Sequence, residues 1–116
     1  MRLAVSTVGA GLFWLAVSSV VTPIQASAAS GQEIFQKYCQ ACHGQDGKGN
    51  AALAKALQTE IPDLTTLAVA GKPETALRST IADGKGKMPP FGKTLSQEEQ
   101  RTVVDFLLKQ LATGAR

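Results

Sequence analysis

Apolar and polar positions repeat with helical spacing in two segments of the chain, one near residue 35 and one near residue 105. The first apolar group consists of Ile34, Phe35 and Tyr38. The second is longer and consists of Val103, Val104, Phe106, Leu107, Leu108 and Leu111. Because residues three and four apart share one face of a helix, each group forms an apolar stripe. We therefore predict an amphipathic helix in each segment.

Both helices are preceded by the same capping sequence. Ser30 is followed three residues later by Glu33, and Ser96 by Glu99. In such a capping box the serine hydroxyl accepts a hydrogen bond from a backbone N–H of the first turn, and the glutamate accepts one from the serine N–H. The pattern predicts that the first helix begins after Ser30 and ends near Gly44, and that the last begins after Ser96.

Glycine and proline divide the part of the chain between these helices. Short helices are predicted over residues 51–57, 63–70 and 73–83. Asn50 can cap the first of them, and Pro73 suits the first turn of the third. Residues 84–92 contain three glycines and two prolines, a composition that excludes regular structure. Since no convincing strand pattern is present, the sequence predicts an all-α domain with long loops.

The N-terminal part of the chain has a different composition. A basic second residue is followed by a mostly apolar run from residue 3 to residue 21, and small residues occupy positions 26–29. This is the organisation of a cleavable secretory signal peptide. The alternative is an uncleaved membrane anchor, because the run approaches the roughly 20 residues that span a bilayer. We predict a signal peptide over residues 1–29 and one domain over residues 30–116, with membrane association only if the signal is retained.

Both cysteines and the single histidine lie in one short motif, Cys39-Gln40-Ala41-Cys42-His43. On a helix the two thiols and the imidazole share one face, from which Cys39 and Cys42 can form thioethers to one porphyrin. A Cys-x-x-Cys-His motif is the attachment pattern of c-type haem. His43 is then placed to ligate the haem iron.

Two cysteines in an exported protein also fit other chemistry. They commonly form a disulfide, and a Cys-x-x-Cys pair can serve thiol redox exchange. A thioredoxin-like pair requires a β-α-β frame, for which no strand pattern is found. A zinc site requires four ligands, and two cysteines with one histidine supply only three. One covalently attached haem is the favoured interpretation, with a disulfide as the alternative.

The second axial ligand has to come from another part of the chain. Because the sequence contains no other histidine, two histidine ligands from one chain are excluded. After residue 29 the only methionine is Met88, which lies in the stiff segment 84–92. A methionine thioether opposite a histidine raises the reduction potential of a haem. Methionines commonly fill cores instead, but a lysine and two prolines flank this one, so Met88 is the predicted ligand.

With these motifs the chain resembles the class I cytochrome c family over nearly all of residues 30–116. The Cys-x-x-Cys-His segment is similar to the family's haem attachment motif, and Met88-Pro89 is similar to its axial methionine loop. The resemblance implies the cytochrome c fold, in which three to five helices wrap around one covalently attached haem and the N- and C-terminal helices cross. It also implies that His43 and Met88 are the two axial ligands of the iron.

The same resemblance assigns roles in the segment Ile61-Pro62-Asp63-Leu64. Pro62 matches a proline whose carbonyl accepts the N–H of the proximal imidazole and so fixes its orientation. Leu64 is expected to pack on the haem. The alternative for Pro62 is a plain helix breaker.

The resemblance also predicts where the terminal helices cross. Gly31 and Phe35 lie before Cys39 at positions where the family's N-terminal helix meets its C-terminal helix. Val103 and Phe106 occupy the matching positions on the last helix. The glycine is expected to allow close approach, and the aromatic ring to pack against the other helix.

The positive charges suggest where partners bind. The formal net charge is +3, and the lysines are scattered without interleaved aromatic residues, so no nucleic-acid surface is predicted. Redox partner proteins are predicted to dock near four lysines, Lys37, Lys85, Lys87 and Lys93. Ordinary solubilising lysines are the alternative. Lys72 and Arg78 are candidates for solvating the haem propionates, with a plain surface role as the alternative.

The function implied by these features is electron transfer without catalysis. With protein ligands at both axial positions the haem has no open site for a substrate, so we predict a soluble electron carrier and not an enzyme. Its predicted location is the bacterial periplasm or a compartment similar to the thylakoid lumen. The alternatives are a haem subunit of a larger dehydrogenase or oxidase complex, and a peroxidase or sensor whose Met88 dissociates.

Overall fold

The computed structural model describes residues 9, 11, 18–22 and 27–111. The α-helices of this part of the chain are α1 (Gly31–Tyr38), α2 (Gln40–His43), α3 (Ala51–Leu57), α4 (Leu67–Ala70), α5 (Glu74–Asp83) and α6 (Gln97–Phe106). The last of them continues into a π-helical turn, Leu107–Leu111. The predicted signal peptide, residues 1–29, lies largely outside the described residues.

The all-α prediction is confirmed, since the described residues form helices and no strand. A single β-bridge joins Lys85 to Met88 within a turn. The described part of the chain has more helical segments than the three to five predicted, because the first predicted helix is interrupted at Cys39, where φ is −115°. The α4 segment is only one turn long. Among the described helices none has the length and apolar character needed to cross a bilayer.

The three predicted caps are present. The Ser30 N–H donates to Glu33 Oε2 at 2.7 Å, and the Glu33 N–H donates to Ser30 Oγ at 3.2 Å. The same pair of bonds links Ser96 and Glu99, at 2.8 and 3.2 Å. The Asn50 side chain accepts the N–H three residues later at 3.1 Å. Local sequence therefore fixes where α1, α3 and α6 begin.

Helices α1 and α6 cross at very close range. A Cβ atom placed on Gly31 would lie 2.5 Å from the Phe106 Cβ and 2.5 Å from the Thr102 carbonyl oxygen. The ring centroids of Phe35 and Phe106 are 5.7 Å apart. Val103 has an exposed fraction of 0%. The structure places the predicted glycine, aromatic and valine positions at the crossing, where they pack as expected.

One hydrophobic core connects the crossing to α5 and to the C-terminal turn. Its buried members are Ile34, Phe35, Ile81, Leu95, Val103, Val104, Leu107 and Leu111. At the end of the π-helical turn, Leu111 reaches the loop that follows α2, where its Cδ1 lies 3.0 Å from the position of a Cβ on Gly47. The core holds α1, α5 and α6 together, and it thereby positions the two segments that follow α1 and α5.

Candidate haem-binding cleft

A cleft of about 470 Å³ opens between segments that are far apart in the sequence. The end of α1 with α2, the end of α3 with the following loop, and the loop after α5 all contribute to its lining. Five of the six predicted site residues line it, namely Cys39, Cys42, His43, Pro62 and Met88. The volume is within the range of about 300–1,000 Å³ typical of cofactor sites. The fold therefore brings together two motifs that the sequence separates.

The two thiols are placed by the interruption between α1 and α2. The Cys39 N–H still donates to the Phe35 carbonyl at 2.9 Å, while the Cys39 carbonyl accepts the His43 N–H at 2.9 Å and starts α2. Both thiols are free and half-buried in the structure. Burial, and to a lesser degree the charge of Cys42, raises the pKa of Cys39 to about 11. As a free thiol Cys39 is therefore protonated at pH 7. The two thiols are not joined to each other in the structure.

His43 lies in the cleft as a neutral imidazole. Burial lowers its pKa, and the Pro62 carbonyl opposes that shift only in part. Its Nδ1 atom is buried and makes no hydrogen bond of good geometry. The Pro62 carbonyl therefore affects the pKa of the ring without forming such a bond to Nδ1. A neutral imidazole is the form that ligates metals, and the partner of one ring nitrogen determines which form and orientation the other presents.

Pro62 and Leu64 have different positions although they are two residues apart. Pro62 lines the cleft, whereas Leu64 does not line it and is partly buried against the hydrophobic core. The Leu64 N–H donates to the Gly47 carbonyl at 2.8 Å. The chain turns between them at Asp63, whose carboxylate accepts the Thr65 N–H at 2.8 Å. This turn directs the two side chains to different surroundings.

Met88 lies in a tight turn within the loop after α5. Lys85 and Met88 exchange two backbone hydrogen bonds, of 3.1 and 2.9 Å. Gly86, inside this turn, has φ +58°, and Gly84, at its base, has φ +74°. A Cβ on Gly84 would lie 2.6 Å from the Met88 carbonyl oxygen. Only glycine fits such a position, so the backbone of the loop holds the half-buried Met88 in place.

The cleft lining also includes large apolar and aromatic side chains that the sequence analysis did not assign to the site, among them Tyr38, Leu57, Ile61 and Phe91. The rings of Tyr38 and Phe91 contact each other with their centroids 6.1 Å apart. The place of Tyr38 in the cleft could have been inferred from the sequence, because Tyr38 directly precedes Cys39. The other three reach the cleft through tertiary packing, which helical periodicity does not reveal.

Two of the four predicted docking lysines line the cleft. These are Lys85 and Lys87, both of which are exposed. Lys37 and Lys93 are exposed outside its lining, and the Lys37 Nζ lies 5.0 Å from the centre of the Tyr38 ring. The positive charge closest to the cleft therefore belongs to the turn of residues 85–88, hereafter the Met88 turn.

The two basic residues considered for the propionates lie elsewhere. Neither Lys72 nor Arg78 is among the residues that line the cleft. Arg78 is about four-fifths buried and its Nη1 is 3.7 Å from Glu74 Oε1, one turn earlier on α5. The polar side chains in the lining, apart from the predicted site residues, are those of Thr59, Glu60, Thr80 and the two lysines of the turn.

The donor atoms of the cleft fit a c-type haem. Two free thiols and a neutral imidazole come from the α1–α2 segment, and one thioether comes from the loop after α5. The buried, unsatisfied Nδ1 of His43 leaves one imidazole nitrogen for a second-sphere partner and the other for a metal. This set matches covalent attachment through cysteines together with histidine and methionine ligation.

Comparison with known proteins agrees with this chemistry. The family model described as cytochrome c oxidase, cbb3-type, subunit III matches residues 26–107. Cytochrome c6 of Gloeothece citriformis (strain PCC 7424) is 31% identical over 114 residues, which cover 98% of this chain and 99% of the relative. The cbb3-type cytochrome c oxidase subunit FixP of Bradyrhizobium diazoefficiens is 41% identical over 66 residues, which cover 55% of this chain and 21% of that protein.

A solved structure supports the fold. The KustC0563 c-type cytochrome superposes with a TM-score of 0.60 at 22% sequence identity, covering 69% of this chain and 95% of that one. At this identity the likeness establishes the cytochrome c fold alone, while the sequence matches establish the family. The chain therefore belongs to the class I c-type cytochromes, a family of electron-transfer proteins, and it carries one covalently bound haem c.

Proposed function

We propose that this cytochrome is an exported, soluble electron carrier with histidine and methionine as axial ligands. Cys39 and Cys42 hold the porphyrin through thioethers, His43 ligates the iron from the same segment, and Met88 ligates it from the loop after α5. The observation that carries the proposal is the single cleft lined by all four side chains. When bound, the haem supplies a one-electron Fe(III)/Fe(II) couple.

The contribution of the protein is to keep the ligands the same in both oxidation states. The thioether of Met88 favours the reduced state and raises the potential. It is also a weak ligand for ferric iron, so its retention depends on the loop. The two backbone bonds between Lys85 and Met88 and the tight contact at Gly84 restrict that loop. With both axial positions filled, no position remains for a substrate.

Pro62 has a supporting role in this proposal. Its carbonyl already acts on the His43 ring, and it is the natural acceptor for the buried Nδ1–H. Such a bond fixes the tautomer of a metal-bound histidine and increases its basicity. Leu64, which is partly buried against the core, contributes to the position of this loop and is proposed to pack on the haem from there.

Export is proposed from the N-terminal sequence. The apolar run and the small residues at positions 26–29 are typical of a signal peptide, and cleavage would leave the domain over residues 30–116. The proposed location is the periplasm or a lumen-like compartment, where redox partner proteins meet the exposed lysines of the Met88 turn.

A subunit of a larger oxidase is the second candidate function. It is favoured by the family model, whose description names an oxidase subunit, and by the match to part of FixP. Size-exclusion chromatography of the native protein separates the two candidates. A free carrier elutes at the size of a single small domain, whereas a subunit elutes with a large complex.

The experiment that tests the proposal uses the protein isolated from the periplasm of an expression host. Its mass should equal that of the chain without residues 1–29 plus one haem. In the ferric state it should show the long-wavelength absorption band of an iron–thioether bond. Met88→Ala should abolish this band and lower the reduction potential by on the order of 100 mV, within the roughly 0.8 V that axial ligands span.

The control for this variant is Lys87→Ala, in the same turn. Lys87 is exposed and supplies no ligand, so the band should remain. If Met88→Ala leaves both the band and the potential unchanged, Met88 is not the ligand. A mass without an added haem would contradict the attachment at Cys39 and Cys42.

A further inference from the structure

One ring contact joins the two segments that carry the proposed ligands. Tyr38 ends α1 directly before Cys39, and Phe91 lies three residues after Met88. Their centroids are 6.1 Å apart and their planes meet at 67°, which is an edge-to-face pair. Both rings line the cleft and both are half-buried. The contact therefore connects the thiol side of the cleft directly to the methionine side.

Phe91 belongs to the same rigid unit as Met88. The Phe91 N–H donates to the Ile81 carbonyl at 2.9 Å, and the next N–H donates to the Ala82 carbonyl at 3.0 Å. At the base of the loop, the position of a Cβ on Gly84 is filled by the backbone of Met88 and of the two prolines that follow it. Since the backbone from Met88 to Phe91 packs on the end of α5 as one segment, movement of this backbone away from the cleft carries the Phe91 ring with it.

Tyr38 is fixed to the opposite side of the cleft. It is the last residue of α1, and it packs against the hydrophobic core. The ammonium group of Lys37 lies 5.0 Å from the centre of its ring, a distance suited to a cation–π contact. The charge of Lys37 is also felt at Glu99 on α6, although the Ser96 N–H has the larger effect on the pKa of that carboxylate. The Tyr38 ring is thus attached to α1 and the core, on the side of the cleft opposite the methionine loop.

We propose that Tyr38 and Phe91, hereafter the aromatic clasp, are positioning residues that keep the Met88 loop closed over the cleft. The clasp opposes opening because the loop cannot move outward without breaking the ring contact. An external ligand for the iron binds only while Met88 is displaced, so its apparent affinity is proportional to the population of the open loop. This inference rests on the proposed ligation by Met88.

The test is a titration of the ferric holoprotein with imidazole, in which the loss of the iron–thioether band is monitored. Tyr38→Leu and Phe91→Leu should each bind imidazole about three- to tenfold more tightly, the factor expected from loss of one aromatic pair. Tyr38→Phe keeps the ring and should bind imidazole as weakly as the natural protein. The double Leu variant should show little more than the larger single effect, because both changes remove the same contact.

The matched control is Phe35→Leu at the helix crossing. Phe35 forms the other ring pair found among the described residues, with Phe106, and it does not line the cleft. This variant should lose global stability, measured by denaturant unfolding, without a change in imidazole affinity. If it tightens imidazole binding as much as Tyr38→Leu does, the effect is global destabilisation and the clasp is disproved.

The remaining outcomes separate this inference from the proposed function. A natural protein without the iron–thioether band contradicts ligation by Met88, and the inference fails with it. A natural protein with the band, whose imidazole affinity is unaffected by Tyr38→Leu, contradicts the clasp alone. Additive effects of Tyr38→Leu and Phe91→Leu would also contradict it, because the two rings would then act independently.

Discussion

The helix crossing and the methionine loop achieve rigidity by different means. At the crossing, the side chains of Phe35 and Val103 are 2% and 0% exposed, so packing of apolar groups holds α1 against α6. In the loop, Met88 is only half-buried, and backbone bonds and glycine conformations hold it. The difference indicates that the crossing contributes most to the stability of the fold, whereas the loop positions Met88, the proposed iron ligand. Changes at the crossing should therefore leave the iron–thioether band unaltered, whereas changes that displace the loop should weaken it.

The largest effect on stability is expected from Gly31→Leu. A Cβ at this position already lies 2.5 Å from the Thr102 carbonyl oxygen, which is backbone and cannot turn away. Forcing the helices apart should reduce the free energy of unfolding by about 3 kcal/mol, the upper part of the range for overpacking. Denaturant unfolding of the holoprotein measures this loss. The exposed Gln36, on the same helix, provides the control Gln36→Leu, which should cost little.

A shift in the reduction potential of Gly31→Leu would contradict separate roles for the crossing and the loop. The Gly31→Leu variant should keep the iron–thioether band and a reduction potential close to that of the natural protein, since Gly31 does not line the cleft. A large shift in potential would mean that the crossing and the loop are coupled through the core.

The second prediction concerns Gly84→Ala, the equivalent change in the loop. With φ at +74°, alanine is strained there, and its Cβ would lie 2.6 Å from the Met88 carbonyl oxygen. We expect a loss of about 1–3 kcal/mol in the free energy of unfolding, together with a weaker iron–thioether band. Gly86→Ala is the matched control, because Gly86 also has positive φ but has open space around the position of a Cβ. It should cost about 1 kcal/mol and leave the band intact.

Local features of the structure could be predicted from the sequence. The capping boxes at Ser30 and Ser96 depend on residues three apart, and the structure contains both. The spacing of the Cys-x-x-Cys-His segment predicted that Cys39, Cys42 and His43 lie together, and all three line one cleft although the helix is interrupted at Cys39. The Gly- and Pro-rich composition of residues 84–92 likewise predicted a constrained loop around the methionine.

Features that depend on tertiary packing could not be predicted. The resemblance implies that Leu64 packs on the haem, and this stays a prediction; in the structure Leu64 is partly buried against the hydrophobic core. Arg78 has a helical partner, Glu74, and no place in the cleft lining. The contact between Tyr38 and Phe91 joins distant segments, and periodicity carries no information about which loop residue meets which helix.

A smaller effect, on rates alone, is expected from reversing the charge of the Met88 turn. The variant Lys85→Glu/Lys87→Glu should reduce ferricyanide about tenfold more slowly at low ionic strength, because the cleft would repel an anionic oxidant. Stopped-flow spectroscopy measures this rate. The control Lys48→Glu/Lys72→Glu makes the same change in net charge at exposed lysines that do not line the cleft. Equal slowing by both variants would mean that net charge, and not the position of the turn, controls the encounter.

The smallest effect is expected from the capping carboxylates of α1 and α6, which belong to the crossing. The Ser30 N–H and hydroxyl lower the pKa of Glu33, and the Ser96 N–H and hydroxyl do the same for Glu99. Since the folded pKa is the lower one, their stabilising contribution is complete above the ordinary glutamate pKa and is lost as the pH falls through the folded value. Glutamine can also cap a helix. The denaturation midpoint of Glu33→Gln/Glu99→Gln should therefore fall less between pH 6 and pH 3 than the midpoint of the natural protein does. The iron–thioether band should be the same in both proteins at each pH, because the caps act on the crossing and not on the loop.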